Sequence, residues 1–409
     1  MLLKLAWRNL WRQKRRTILT ASALALALAL SLFMRCLQEG TYANNIENAA
    51  RFYTGLIQIQ HPEFSESQSI DDLLPASNAF ITPVRNHLNI NQILPRIESF
   101  ALAAAGEKSK GVMVLGVAPE KEDAYSGIAN KVSSGEFLRA DDDQLLIGEG
   151  LAKFFGLEVG DELILYGMGY RGQTAAGLYT IKGLLDFPMP QLDNQLVYMP
   201  LALAQSLYST EQQVTSWVLH TKDLAELPQT VTDLTREYGG QAQVRDWEDL
   251  SPEMSQQIVM DKVSGIIMMY LLYGVVGFGL FATLLMMTLE RQREFGVMLA
   301  TGLLRRKLIL LICIESLFIA IIGVVIGLLV ATPVLIWFYY NPITLTGEVA
   351  EMILEMGWEP VMPVMLAPWL FIDQVVTVLV LLALCMLYPI WRIYRLDLVS
   401  ALKGGGYAG

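Results

Sequence analysis

Four long apolar runs, set apart by charged segments, govern what this chain can fold into. They cover residues 17–36, 263–289, 308–338 and 371–391. A helix of about 20 apolar residues crosses the roughly 30 Å of bilayer hydrocarbon, and a helix satisfies its own backbone there. Two of the runs exceed that length, so they tilt or project beyond the bilayer. The first run follows Lys4, Arg8, Arg12, Lys14, Arg15 and Arg16. A cleavable signal sequence is the competing reading, because the alanines from Ala21 to Ala29 resemble a small-residue cleavage region. The long basic segment, a run of nearly 20 residues and the lack of a small polar segment after it favour a retained span.

Charge sets the orientation. Residues 37–261 hold 14 Lys/Arg against 31 Asp/Glu, whereas residues 1–16, 290–307 and 392–409 together hold 14 against 3. Basic flanks stay on the cytoplasmic side. The expected layout is a multi-pass protein of the bacterial inner membrane with both termini and residues 290–307 cytoplasmic. The region 37–261 and the loop 339–370 face the periplasm or the exterior. A nucleic-acid surface is the alternative for the basic residues, but they flank apolar spans, so no nucleic-acid partner is expected. Cys36, Cys313 and Cys385 all lie in or beside spans. No disulfide framework or zinc spacing follows, and the outer domain must rely on its own core.

In the first 16 residues Leu3, Trp7, Leu10 and Trp11 recur at helical spacing, with Lys4, Arg8, Arg12 and Arg15 on another face. This predicts an amphipathic helix in the cytoplasmic interface, in contact with membrane lipid. Region 37–261 mixes short strand patterns near 55–60, 111–116, 145–147, 163–165, 179–183 and 195–199 with helical ones at 151–156, 200–208 and 224–238. An α+β domain in two lobes is expected. Gly167, Gly169, Gly172 and Gly177 have no Lys-Ser/Thr after them, so residues 166–178 read as a hairpin tip rather than a phosphate loop. Asp141, Asp142 and Asp143 lack the spacing of calcium ligands and read as a solvated turn. His61, His87 and His220 are scattered and suggest no metal site. No nucleophile or paired carboxylates stand out, so no catalytic, cofactor or metal residues are assigned.

Residues 290–307 place Glu290 and Glu294 at i, i+4, then the apolar stretch Phe295–Ala300, then Gly302 as a helix stop. A short apolar helix on the cytoplasmic side needs a partner or the lipid interface. Gly323 and Gly327 form a GxxxG in the third span, and Gly274, Gly277 and Gly279 crowd the second, so close helix packing is expected, within the chain or between copies. Glu315 is an intramembrane charge. It marks a substrate route or pairs with a base, from residues 305–307 or a neighbouring helix.

The order of these features resembles the MacB/FtsX-type ABC permeases of the mechanotransmission class. The resemblance rests on Ala6–Thr17 at the start, on Ile147-Gly-Glu149, Leu151-Ala152 and Val159-Gly-Asp161 in the outer domain, and on Glu290–Glu294, Gly302, Arg305-Arg306, Glu315 and Gly323/Gly327. Arg392–Leu402 supplies the closing signature. With four spans, a large domain after the first and no fused ATPase, the plan is similar to the lipoprotein-releasing LolC/LolE subunits. The expected fold is therefore an α-helical membrane protein with four transmembrane helices and an α+β domain of the MacB-type periplasmic core between the first two. The resemblance implies a transporter subunit that is not itself an enzyme. ATP and Mg are bound by a partner ABC-type ATPase dimer, and a second permease copy or homologue completes the assembly. A lipoprotein or another periplasmic protein is a further expected partner. It also implies that Arg293, Glu294, Phe295, Val297 and Met298 couple to the ATPase. A division-type regulator of a cell-wall enzyme, and a sensor or scaffold without transport, are the rival readings.

Overall fold

The computed structural model describes residues 2–12, 14–187, 190–355 and 360–396. The later part of the closing signature, from residue 397, and Gln13 of the opening one lie outside the described residues. The chain divides into two units, one of residues 1–42, 259–343 and 362–409, the other of residues 43–258 and 344–361.

The first unit is helical. Helix α1 (Leu2–Arg12) precedes α2 (Lys14–Ala49), α3 (Pro252–Glu290), α4 (Gln292–Ala300), α5 (Arg305–Tyr340) and α6 (Pro368–Tyr394). Four of them, α2, α3, α5 and α6, are long and apolar enough to cross a membrane. Helix α2 runs on to Ala49, well past the end of its apolar run at residue 36, and the first 42 residues cluster with the helical unit. The interior is built from facing apolar stripes, among them Leu24, Leu28 and Leu32 of α2, Leu280 and Leu284 of α3, Ile319 and Leu335 of α5, and Val378 and Leu382 of α6. Burial is uneven: 56% of the apolar window of α2 is covered, but only 17% of that of α3. The second span thus leaves most of its apolar surface for lipid or another chain.

The second unit is built on a ten-stranded sheet of β1 (Ile57–Gln60), β2 (Ile90–Ala105), β3 (Lys108–Val117), β4 (Val132–Gly135), β5 (Leu145–Gly148), β6 (Glu162–Met168), β7 (Thr174–Leu185), β8 (Leu196–Pro200), β9 (Ser216–Thr221) and β10 (Gln243–Asp246). The order is β10-β1-β9-β2-β3-β8-β5-β7-β4, with β6 bridging β2 and β7. Pairings are antiparallel except β3 with β8 and β5 with β7. Helices Pro119–Ser126, Glu149–Phe155, Leu201–Tyr208 and Leu227–Tyr238 complete the α+β layers.

The long strand β2 joins the two halves. Its first part pairs with β9, Arg96 opposite Ser216, and its second with β3 and β6, Leu102 opposite both Gly111 and Tyr166. Separate buried clusters form around Trp217 and Leu234, and around Val114 and Leu163, so the two expected lobes share one strand. Strand β2 carries Pro95, and Arg96 is fully buried. A proline removes a ladder donor and a buried charge needs a partner. Here the Arg96 guanidinium pairs with Glu122 of the helix Pro119–Ser126, its Nε at 3.3 Å. Residues 166–178 form a hairpin, with β6 and β7 joined through Tyr170–Gly172.

Candidate functional site: a polar junction beneath the short helix

The short helix α4 is delimited by its own sequence. Glu290 ends α3, Arg291 takes a non-helical turn, and α4 starts at Gln292. At the far end Gly302 adopts φ +97°, a left-handed conformation that suits glycine. The amide of Leu303 then donates to the Met298 carbonyl at 3.0 Å, and α5 begins at Arg305.

The faces of α4 differ. Phe295 is 1% exposed and lies in the same buried cluster as Leu284, Met287, Leu308 and Ile312. Met298 and Leu299 pack partly against that cluster. Arg293, Val297, Ala300 and Leu304 are exposed, at helical spacing, with Val297 48% exposed. This corrects the expectation for Phe295: its ring is a core side chain of this unit and is not presented to a partner. The reason is the gap between α3 and α5, which a short helix fills with its bulkiest side chain. Met298 is largely withdrawn as well, and the outward apolar face is carried by Val297.

Beneath α4 lies a polar junction. The Arg291 side chain is almost wholly buried. Its Nη1 donates to Glu315 Oε2 at 2.6 Å, its Nε to Glu294 Oε2 at 3.1 Å, and its guanidinium lies 5.2 Å from the Phe295 ring centroid. Glu315 Oε1 accepts from Asn9 Nδ2 of α1 at 2.7 Å. Arg12 of α1 pairs with Glu294, and Arg16 donates to Glu290 at 2.9 Å and to the Thr283 carbonyl at 2.9 Å. Burial works to raise the Glu294 carboxyl, but the hydrogen bonds from Arg12 and Arg291 outweigh it and hold it below the usual carboxylate range. So α1, α2, α3, α4 and α5 are bound at one end by a connected set of charges. Glu315 meets a base from a neighbouring element, Arg291, instead of residues 305–307. It sits ten residues into α5, yet it is level with α1, because α5 starts deeper than α2: Gly323 meets Ala21.

The glycines separate into two kinds. A Cβ on Gly323 would stand 3.0 Å from the Ala21 carbonyl oxygen, and one on Gly327 2.9 Å from that of Ala25. A Cβ on Gly277 would meet Leu381 at 2.7 Å. These three permit helix contact within the chain. Gly274 has nothing within 4 Å and is exposed, so its expected packing role within the chain is corrected: it faces outward.

A second polar cluster escaped sequence reading. Gln374 of α6 is fully buried, and its Oε1 accepts from Ser31 Oγ of α2 at 2.8 Å and from the Tyr273 hydroxyl of α3 at 2.8 Å. The signal available was three isolated polar residues inside apolar spans. Close by in the chain, Ser31, Met34, Arg35, Gln38 and the α3 residues Met268 and Leu272 line a crevice of about 380 Å³ between α2 and α3, apolar except at Arg35 and Gln38. Arg35 pairs with Glu39 at 3.2 Å. In the other unit, His61, Glu63 and Asp72 come together, contrary to the scattered histidines of the sequence, with His61 Nδ1 3.5 Å from Asp72. That nitrogen already accepts from the Glu63 amide at 3.3 Å, and the group forms a surface turn. Asp142 is likewise held in a turn, accepting from the Arg139 amide at 2.7 Å and from Lys182 at 2.5 Å.

Two family profiles match. One, the MacB-like periplasmic core domain, covers residues 17–237, and the other, the FtsX-like permease C-terminal region, covers residues 266–398. The chain is 26% identical over 322 residues to the lipoprotein-releasing system transmembrane protein LolC of Xylella fastidiosa, covering 76% of each. It is 27% identical over 219 residues to the transmembrane protein LolE of Haemophilus influenzae, covering 52% of this chain and 53% of that one. Among solved structures, the periplasmic region of MacB from Actinobacillus actinomycetemcomitans aligns with 51% of this chain and 96% of its own, at 12% identity and a TM-score of 0.35.

Proposed function

Since this chain belongs to the permease family that joins a MacB-like periplasmic core to an FtsX-like C-terminal region, we propose that it is the membrane subunit through which a separate ABC-type ATPase moves an extracytoplasmic domain to release a lipid-anchored protein. The observation that carries this reading is the two-sided character of α4. Its inner side is locked by Phe295 and by the Arg291–Glu315 pair, while Arg293, Val297 and Ala300 stay open on the other side. A force applied to that open side is delivered to α3 and α5 together, because the charges beneath resist separation.

The crevice between α2 and α3 supports the substrate class. Its walls suit an acyl chain, and Arg35 and Gln38 suit the polar group next to it. The open surface of α3 leaves room for a second permease copy or a homologue. In this reading the basic ends face the cytoplasm and the sheet-built domain the periplasm of a bacterial inner membrane.

The test is reconstitution of the chain with the ATPase encoded beside it. ATP turnover should rise on adding a lipidated protein and stay at baseline with the same protein lacking its lipid. The chain alone should turn over no ATP. Turnover by the chain alone, or equal stimulation by both protein forms, overturns the proposal.

A further inference from the structure

Helix α1 leaves an unfilled space on its outer side. Ala6 and Leu10 are buried against the helical unit, but Trp7 and Trp11 stay about half exposed. The two indoles meet edge to face at 5.9 Å, and Trp7 meets Phe318 of α5 at 5.7 Å. Between these rings and the walls of α2 and α5, formed by Ile18, Ile322 and Ile326, lies a crevice of about 190 Å³. The wall is apolar apart from Lys14, Thr17 and Ser22, and Lys14 is its one charged residue among the described residues. A void of roughly 150 Å³ takes up an apolar molecule the size of benzene, so this one accommodates a stretch of acyl chain.

The surrounding charge is unbalanced. Arg12 and Arg16 are engaged by Glu294 and Glu290. Lys4, Arg8, Lys14 and Arg15 are exposed and make no ion pair among the described residues, and residues 1–16 contain no acidic side chain. A tryptophan-walled apolar slot beside unneutralised lysine and arginine is complementary to one molecule, a phospholipid with net negative charge.

We propose that the crevice between α1, α2 and α5 is a specific site for an anionic phospholipid, with an acyl chain against Trp7, Trp11, Ile18 and Ile326 and the phosphate beside Lys14. The inner side of α1 bonds to Glu315 through Asn9 and to Glu294 through Arg12. A lipid seated on the outer side therefore holds the helix against the charges that position α4.

The experiment uses the full chain in detergent, titrated with brominated phosphatidylglycerol or brominated phosphatidylcholine, and reads quenching of tryptophan fluorescence. The component lost in the Trp7→Phe/Trp11→Phe variant isolates the site from the remaining tryptophans. Phosphatidylglycerol is expected to quench that component at about fivefold lower lipid fraction than phosphatidylcholine. Lys14→Gln should bring the two lipids to parity while phosphatidylcholine quenching persists, which shows that the slot is intact. Ser22→Phe, which fills the slot from α2, should remove quenching by both. Equal quenching by the two lipids in the unaltered protein, or a preference that survives Lys14→Gln, overturns the proposal. The readout involves no ATPase, so its outcome is independent of the transport reading.

Discussion

The Arg291 guanidinium donates to the Glu315 carboxylate at 2.6 Å, where both side chains are at least nine-tenths shielded from solvent. The two residues stand on either side of α4 in the chain, so the pair closes the short helix over the ends of the spans. Removing one member of a buried pair leaves an uncompensated charge, at about 3–5 kcal/mol. Glu315→Ala and Arg291→Ala should each lower the thermal midpoint of the detergent-solubilised protein sharply. Arg291→Met/Glu315→Leu should recover much of the loss, because two apolar groups replace two charges. Full additivity of the two losses in the double variant argues that the pair is not coupled.

Phe295 and Val297 are two positions apart on α4 and should behave differently. Phe295→Asp places a carboxylate in the core and should destabilise the permease itself by about 3–5 kcal/mol. Val297→Asp alters only the open face and should leave the thermal midpoint nearly unchanged while ATPase copurification falls. Arg293→Glu should weaken copurification less, since an exposed charge pair contributes about 0–1 kcal/mol. Wild-type copurification by a folded Val297→Asp variant rejects the open face as the ATPase contact.

Close packing separates the glycines. Gly323→Leu and Gly327→Leu would press into the α2 backbone at Ala21 and Ala25, and each should cost about 1–3 kcal/mol in midpoint measurements. Gly274→Leu should change the isolated subunit by less than about 0.5 kcal/mol. If Gly274→Leu instead unfolds the subunit, the outward placement of that glycine is wrong.

His220 of the sheet domain packs on Tyr125 at 4.9 Å between ring centroids, and neither ring nitrogen has a hydrogen-bond partner among the described residues. Burial pushes its pKa down, with Glu47 opposing and Arg51 assisting. A base whose folded pKa is depressed takes up a proton more readily when unfolded. Its stabilising effect is present above the unfolded value of about 6.5 and is lost as pH falls through it. The midpoint should therefore drop between pH 7.5 and 5.5, and His220→Gln should flatten that drop. An unchanged slope in His220→Gln assigns the pH dependence to other groups.

Much of the architecture was legible because it rests on local pattern. Four apolar runs, a charge imbalance between segments, short alternating strands and a glycine stop after residue 300 each follow from a few consecutive residues and the solvent they must meet. Strand β2 was not legible, because Pro95, buried Arg96 and an alanine-rich end disguise it. It exists because Glu122, far along the chain, neutralises Arg96 and because two halves of a sheet pair with it. The apolar stretch Phe295–Ala300 announced a buried face without saying what buries it, and an apolar side chain on a short helix looks the same whether its cover is a partner or its own chain. Only the packing of α3 and α5 turned Phe295 inward and left Val297 out. For the same reason Glu315 alone could not name Arg291 and Asn9, nor Gln374 name Ser31 and Tyr273. Sequence determines which groups cannot remain unpaired in an apolar medium, and the tertiary structure decides which distant groups satisfy them, because that depends on the register and crossing of helices that are not neighbours in the chain.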